Sequence, residues 1–206
     1  MKDKKIDSIV EEHVDILKEI ASIGCGNAVT ALSSLLNRRV KMSVPVVNML
    51  DFKDVSNCIG GAENIIAGVL VGLSGDINGI MMFIVDEDIA HRFVDMLLGK
   101  PTEPHDGFSE IEYSALTEVG NILTSSYLSS LASLTRTTIN QSVPQLSIDM
   151  ANAILSVPAI EFGKVGDKVL FIESVFETDT ENVSGYFILV PDMPSFEVIF
   201  KSLGVM

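Results

Sequence analysis

Glu118 and Asn121 are the two side chains whose types and spacing best suit chemistry in this sequence. Residues three apart lie on one face of a helix, so a carboxylate and a carboxamide would stand side by side. The carboxamide donates and accepts hydrogen bonds without titrating near neutral pH, and the carboxylate can pair with a cation. Ser114 and Ser125 fall on the same helical stripe and are small. This pattern predicts a face that another protein can approach while both longer side chains reach into it.

A solvated helix face without a function is the alternative, because polar pairs at this spacing are common. Two observations favour a role. Asparagine is a poor residue for a helix interior, since its amide competes for backbone hydrogen bonds. A carboxylate also recurs in the first half, where Glu19 precedes Pro45 by the same distance at which Glu118 precedes Pro144.

The chain repeats itself at an offset of 99 residues. This shift aligns Glu19 with Glu118, and Ser43-Val44-Pro45 with Ser142-Val143-Pro144. A shared spacing of this length, with matching acidic and Val-Pro positions, predicts a duplication. A functional site in one half then predicts a related site in the other.

The related stripe in the first half differs at one chemically important position. Its members, at helical spacing, are Asp15, Glu19, Ser22 and Gly26. Ser22 stands where the second half has Asn121, and a hydroxyl is about two bonds shorter than a carboxamide. We therefore expect the first site to bind a partner through Glu19 but to catalyse poorly.

Composition excludes several classes of function. The 206 residues contain 14 Lys and Arg against 28 Asp and Glu, a formal net charge of −14. Nucleic acids and anionic lipids attract basic proteins, so neither is an expected partner. Two cysteines are too few for a disulfide framework, and no metal site is expected. We find no apolar run long enough for a signal sequence or a membrane span, and expect a cytoplasmic protein.

Hydrophobic periodicity predicts the elements that position these residues. The predicted helices span 14–36, 86–98, 109–134, 149–161 and 194–203, and the predicted strands 40–50, 65–73, 79–85, 169–176 and 185–190. Ser109 and Glu112 have capping-box spacing, and the polar turn at 74–78 predicts a hairpin. Leu35 falls on the face of the first helix that is predicted to be buried. Pro158 should limit the helix that contains it. We predict a single α+β domain of two repeats, about 10–100 and 108–206. A pseudo-twofold axis should relate them, with two long adjacent helices packed on antiparallel-rich β-structure.

The motif resembles that of the CheC/CheX/FliY phosphatases of bacterial chemotaxis. That family's pattern is Asp or Ser, three residues, Glu, two residues, Asn, twenty-two residues and Pro. The second half matches it in full with Ser114, Glu118, Asn121 and Pro144. The first half matches at Asp15, Glu19 and Pro45, and departs from the pattern at Ser22.

The resemblance implies hydrolysis of the aspartyl phosphate on the response regulator CheY. Asn121 would orient the attacking water, and Glu118 would pair with the active-site lysine of CheY. Asp15 and Ser114 would contribute to substrate docking. No cofactor of the protein's own is implied, and the Mg²⁺ would belong to the CheY site.

The resemblance also implies a second partner, the receptor deamidase CheD. The contact would lie on the helix after the second Pro-containing strand, beginning at Asp149, although a buried amphipathic helix remains an alternative. Another function stays open as well: a non-catalytic adaptor of CheD or of a flagellar switch component. An adaptor has no need of a carboxamide at Asn121, so that residue favours the enzyme.

Overall fold

The computed structural model describes residues 2–100, 107–162, 168–177 and 182–204. The helices are α1 (Lys2–Leu36), α2 (Val55–Cys58), α3 (Glu87–Leu98), α4 (Glu110–Thr135), α5 (Ala151–Phe162) and α6 (Met193–Ser202). The strands are β1 (Lys41–Met42), β2 (Val46–Asp51), β3 (Ile65–Gly75), β4 (Gly79–Asp86), β5 (Ile139–Gln141), β6 (Gln145–Met150), β7 (Lys168–Glu177) and β8 (Asn182–Pro191). A 3₁₀ turn, Phe52–Asp54, precedes α2.

Within these ranges the strands form one antiparallel sheet. Its central path is β1-β7-β8-β4-β3-β5; β2 also pairs with β7, and β6 with β3. Pro45 and Pro144 each separate two short edge strands, where a missing backbone donor costs no ladder hydrogen bond. The α+β fold with two long helices on antiparallel structure is as predicted.

The register of strand pairing is the same in the two halves of the chain. Met42 pairs with Phe176 on β7, and Gln141 pairs with Leu73 on β3. The step from Met42 to Gln141 is 99 positions, and the step from Leu73 to Phe176 is 103. The same two steps relate the pairs formed by β2 with β7 and by β6 with β3. Equivalent edge residues therefore meet equivalent inner-strand residues in both halves.

The sheet is buried on both faces, which explains its continuous apolar strands. Along β4, Met81 and Phe83 join the core under α1 and α4, while Met82 and Ile84 join a second core under α2 and α5. Alternate side chains of β4 thus pack into the two cores on opposite faces of the sheet.

Helices α1 and α4 lie against each other on one face of the sheet. Asn27 donates from Nδ2 to Oγ of Ser130 at 2.9 Å across this contact. A Cβ added to Gly24 would lie 2.7 Å from Cδ2 of Tyr127. The glycine therefore permits the close approach of the two helices.

The segment Lys18–Leu36 has the length and apolar composition of a membrane-crossing helix. Ile20, Ala28 and Leu32 on this segment are buried in the core beneath α1. Its apolar face is thus accounted for by packing within the domain.

Three local predictions differ from the structure. Helix α1 begins at Lys2 rather than near residue 14. Leu35, predicted to be buried, is 36% exposed, because the buried positions of the last turn are Leu32 and Leu36. Pro158 lies inside α5, which continues to Phe162. One missing N–H donor is tolerated there because Ile154 and Leu155 anchor the helix in the second core.

Candidate catalytic site on the second long helix

Helix α4 starts at a capping box that the sequence predicts. Glu112 accepts a hydrogen bond at Oε2 from the backbone N–H of Ser109 at 2.8 Å, and the reciprocal bond to the Ser109 side chain completes the motif. The helix is therefore anchored two turns before its functional residues. Its start lies one residue from the predicted position.

Glu118 and Asn121 lie on the same side of α4, one turn apart. Glu118 is exposed and Asn121 is half-buried. Ser114 is also exposed, and its hydroxyl donates to the carbonyl oxygen of Glu110 at 3.0 Å, so it stays close to the helix. The longer carboxylate and carboxamide are thus available to a partner.

Asn121 is held by two polar side chains. Nε2 of Gln141 donates to Oδ1 of Asn121 at 3.1 Å and to Oγ of Ser125 at 2.7 Å. Oγ of Ser125 in turn donates to the same Oδ1 at 3.4 Å. These three residues, here called the amide cluster, join α4 to β5.

The sheet determines where Gln141 lies. Its backbone pairs with Leu73 on β3, and the hydroxyl of the adjacent Ser142 accepts from the backbone N–H of Gly72 at 2.9 Å. Gly120 brings α4 close to the same strand, because a Cβ there would clash with the side chain of Val69. The close helix–strand contact places Asn121 within reach of β5.

Sequence reasoning missed Gln141. Nothing in helical periodicity connects it with Asn121, because the two are 20 residues apart on different elements. The available signal was its position directly before the repeated Ser-Val-Pro segment. That segment separates the edge strands β5 and β6, which both pair with β3.

The first half places its predicted residues on α1. Glu19 is exposed and Ser22 is half-buried, one helical turn apart. The side chain of Asp15 lies outside the described part of the chain. The structure thus offers one face with a carboxylate and a carboxamide, and another with a carboxylate and a hydroxyl.

Asp149 does not lie on a helix, contrary to the prediction. It pairs with Ile66 at the end of β6, and α5 begins two residues later at Ala151. The ladder to β3 holds Asp149 in extended conformation. Its side chain is exposed and accepts at Oδ1 from the backbone N–H of Met150 at 2.7 Å.

Asp149 borders an open groove of about 370 Å³ between the sheet and α5. Apolar side chains lining it include Leu70, Leu146 and Val157. Met150 and Val157 are 45% and 51% exposed, so the region offers apolar surface as well as a carboxylate.

Cys25 packs in the core rather than serving as a nucleophile. It is fully buried, and its Sγ lies 3.4 Å from Oγ of Ser174. Burial raises the pKa of the Cys25 thiol to about 11, which disfavours the nucleophilic thiolate.

Comparison with known proteins agrees with the duplicated architecture. The CheC-like family profile matches residues 12–49 and 111–148, one segment in each half. The chain is 36% identical over 202 residues to the Bacillus subtilis (strain 168) protein named CheY-P phosphatase CheC. The alignment covers 96% of this chain and 97% of that protein.

Two solved structures share the fold. Thermotoga maritima FliY matches with a TM-score of 0.73 and 24% identity, over 94% of this chain and 95% of that one. The FliM middle domain from H. pylori matches with a TM-score of 0.66 and 13% identity, over 93% and 98% of the two chains. The family profile matches one segment in each half, and over a third of the residues are identical in a relative that aligns along almost its whole length. This chain therefore belongs to the CheC-like family.

Proposed function

We propose that this protein hydrolyses the aspartyl phosphate of the response regulator CheY. The supporting observation is the half-buried carboxamide of Asn121, one turn from the exposed carboxylate of Glu118 and backed by Gln141. The 36% identity to a protein named as a CheY-P phosphatase supports the same substrate. The place of action would be the cytoplasm.

An acyl phosphate is already activated, so the phosphatase mainly has to position a water in line with the phosphorus. In our proposal Asn121 binds and orients that water. Glu118 pairs with the active-site lysine of CheY and sets the docking distance, with Ser114 beside it. The Mg²⁺ would be supplied by CheY, and the protein would use no cofactor of its own.

The first half would serve as a second docking site with little turnover. Glu19 offers the same carboxylate, with Asp15 at the position of Ser114 in the repeat. Ser22 has no amide and its hydroxyl is too short to hold a water at the same point. Two sites of unequal activity on one molecule follow from this difference.

The test is the decay of phosphorylated CheY in single-turnover and steady-state assays. Asn121→Ala should lower kcat about a hundredfold, or about 2.7 kcal/mol in barrier height. Glu118→Ala should lower kcat/KM, mainly through weaker binding. Asn57→Ala is the matched control, because this exposed asparagine lies on α2, over the opposite face of the sheet.

Wild-type turnover by both Asn121→Ala and Glu118→Ala would overturn the assignment. The alternative function, a non-catalytic adaptor of CheD or of a flagellar switch component, would then be favoured. The fold shared with the FliM middle domain is compatible with that alternative.

We further propose that CheD binds at the groove beside Asp149. An exposed carboxylate next to exposed Met150 and Val157 combines charge with apolar area, as protein interfaces do. This surface lies on β6 and α5, whereas the proposed CheY sites lie on α1 and α4. CheD and CheY could therefore be bound at the same time.

A further inference from the structure

We propose that Gln141 is a positioning residue for the hydrolysis, acting through the orientation of the Asn121 carboxamide. The inference rests on the proposed function and assigns a task to the amide cluster. Gln141 would keep Oδ1 of Asn121 turned toward β5 and leave Nδ2 facing the incoming phosphorylated partner.

The hydrogen bonds favour one orientation of the carboxamide. An asparagine side chain has a broad, roughly twofold terminal torsion, so its oxygen and nitrogen can exchange places when nothing distinguishes them. Here Oδ1 accepts from Nε2 of Gln141 and from Oγ of Ser125. While Nε2 of Gln141 faces this amide, turning the amide over would place Nδ2 of Asn121 against a group that can only donate. The contact with Gln141 therefore favours the observed orientation.

The orientation leaves a defined group for chemistry. Nδ2 of Asn121 has no hydrogen-bond partner within the described part of the chain. A water that accepts from Nδ2 retains a second lone pair for attack on phosphorus. If the amide moved freely over its broad terminal torsion, only a small part of the population would hold this donor at the productive angle, and turnover would fall in proportion.

The two halves provide an internal comparison. At the 99-residue offset, the positions of Asn121, Ser125 and Gln141 hold Ser22, Gly26 and Met42. Met42 occupies the same register position in β1 that Gln141 occupies in β5. All members of the amide cluster are thus absent together from the first half, although Glu19 is kept. If Gln141 served only to hold the β5 edge, its absence from the first half would not be expected to coincide with the absence of the asparagine.

Gln141→Met tests the role, because it introduces the first-half residue at nearly unchanged size. We expect kcat for phosphorylated CheY to fall about tenfold while KM stays within about twofold. Gln141→Glu should lose at least as much, because a carboxylate accepts without donating and would draw Nδ2 toward β5. Asn140→Ala, at the exposed neighbouring position on β5, is the control and should keep wild-type kcat. Thermal midpoints of all variants report on folding.

The double variant Asn121→Ala/Gln141→Met separates positioning from a general structural effect. If Gln141 acts through Asn121, the double variant should be no slower than Asn121→Ala alone. Full additivity, a wild-type kcat in Gln141→Met, or a change in KM alone would each overturn the positioning role. The phosphatase assignment would survive these outcomes as long as Asn121→Ala is inactive; an active Asn121→Ala protein would overturn that assignment itself.

Discussion

Nζ of Lys100 lies 2.6 Å from Oε1 of Glu112, joining the segment after α3 to the first turn of α4. The other carboxylate oxygen of Glu112 accepts from the backbone and the hydroxyl of Ser109. The Lys100 hydrogen bond, followed by those from Ser109, lowers the pKa of Glu112 from 4.5 to about 2. The buried carboxylate thus clamps the start of the helix that carries the proposed site.

This pKa predicts an acid-dependent loss of stability. A carboxylate with a lowered pKa in the folded state stabilises the fold above the unfolded-state pKa, and loses that contribution as pH falls from about 4.5 toward 2. Urea denaturation of wild type and Glu112→Gln at a series of pH values measures it. The difference in unfolding free energy between the two should shrink across this range. A difference independent of pH would contradict the prediction.

Gly24 and Gly26 should respond oppositely to alanine. A Cβ on Gly24 would lie 2.7 Å from the Tyr127 ring, whereas one on Gly26 would meet nothing within 4 Å. Gly24→Ala should destabilise the protein by about 1–3 kcal/mol through overpacking between α1 and α4. Gly26→Ala should stabilise it by about 0.5–1 kcal/mol through helix propensity. Urea midpoints of both variants check the pair, and equal shifts would contradict the close-packing argument.

The first site should gain activity only when its amide has an anchor. In an Asn121→Ala background, Ser22→Asn adds the carboxamide and Ser22→Asn/Met42→Gln adds its expected hydrogen-bond donor. We expect the double replacement to raise turnover of phosphorylated CheY several-fold above Ser22→Asn alone, because an oriented amide is the missing component. Steady-state phosphate release measures both. Equal turnover would count against the equivalence of Met42 and Gln141.

Asp149→Lys should weaken CheD binding by at least about tenfold, or about 1.4 kcal/mol, because it reverses a charge at the rim of the proposed interface. Isothermal titration with purified CheD is the direct measurement. Glu197→Lys is the control, since this exposed acid lies on α6, away from the groove. Equal affinities of Asp149→Lys and wild type would exclude this surface.

Local rules were sufficient for much of the fold. Hydrophobic periodicity located the two long helices, the polar turn located the β3–β4 hairpin, and residue spacing located the capping box at Ser109. All three signals depend on neighbours within a few residues. The predictions for Pro158 and Asp149 were wrong because contacts with residues distant in sequence decide their conformation. The buried contacts of α5 outweigh the proline, and pairing with Ile66 keeps Asp149 extended.

The sequence by itself determined the motif: Glu118 and Asn121 at helical spacing, their partial repeat at Glu19 and Ser22, and the 99-residue offset. Only the tertiary structure decided which groups surround Asn121. Gln141 reaches it because the strand register fixes β5 beside β3 and Gly120 lets α4 approach Val69. Such proximity depends on how helix and sheet pack, and no spacing along one element encodes it.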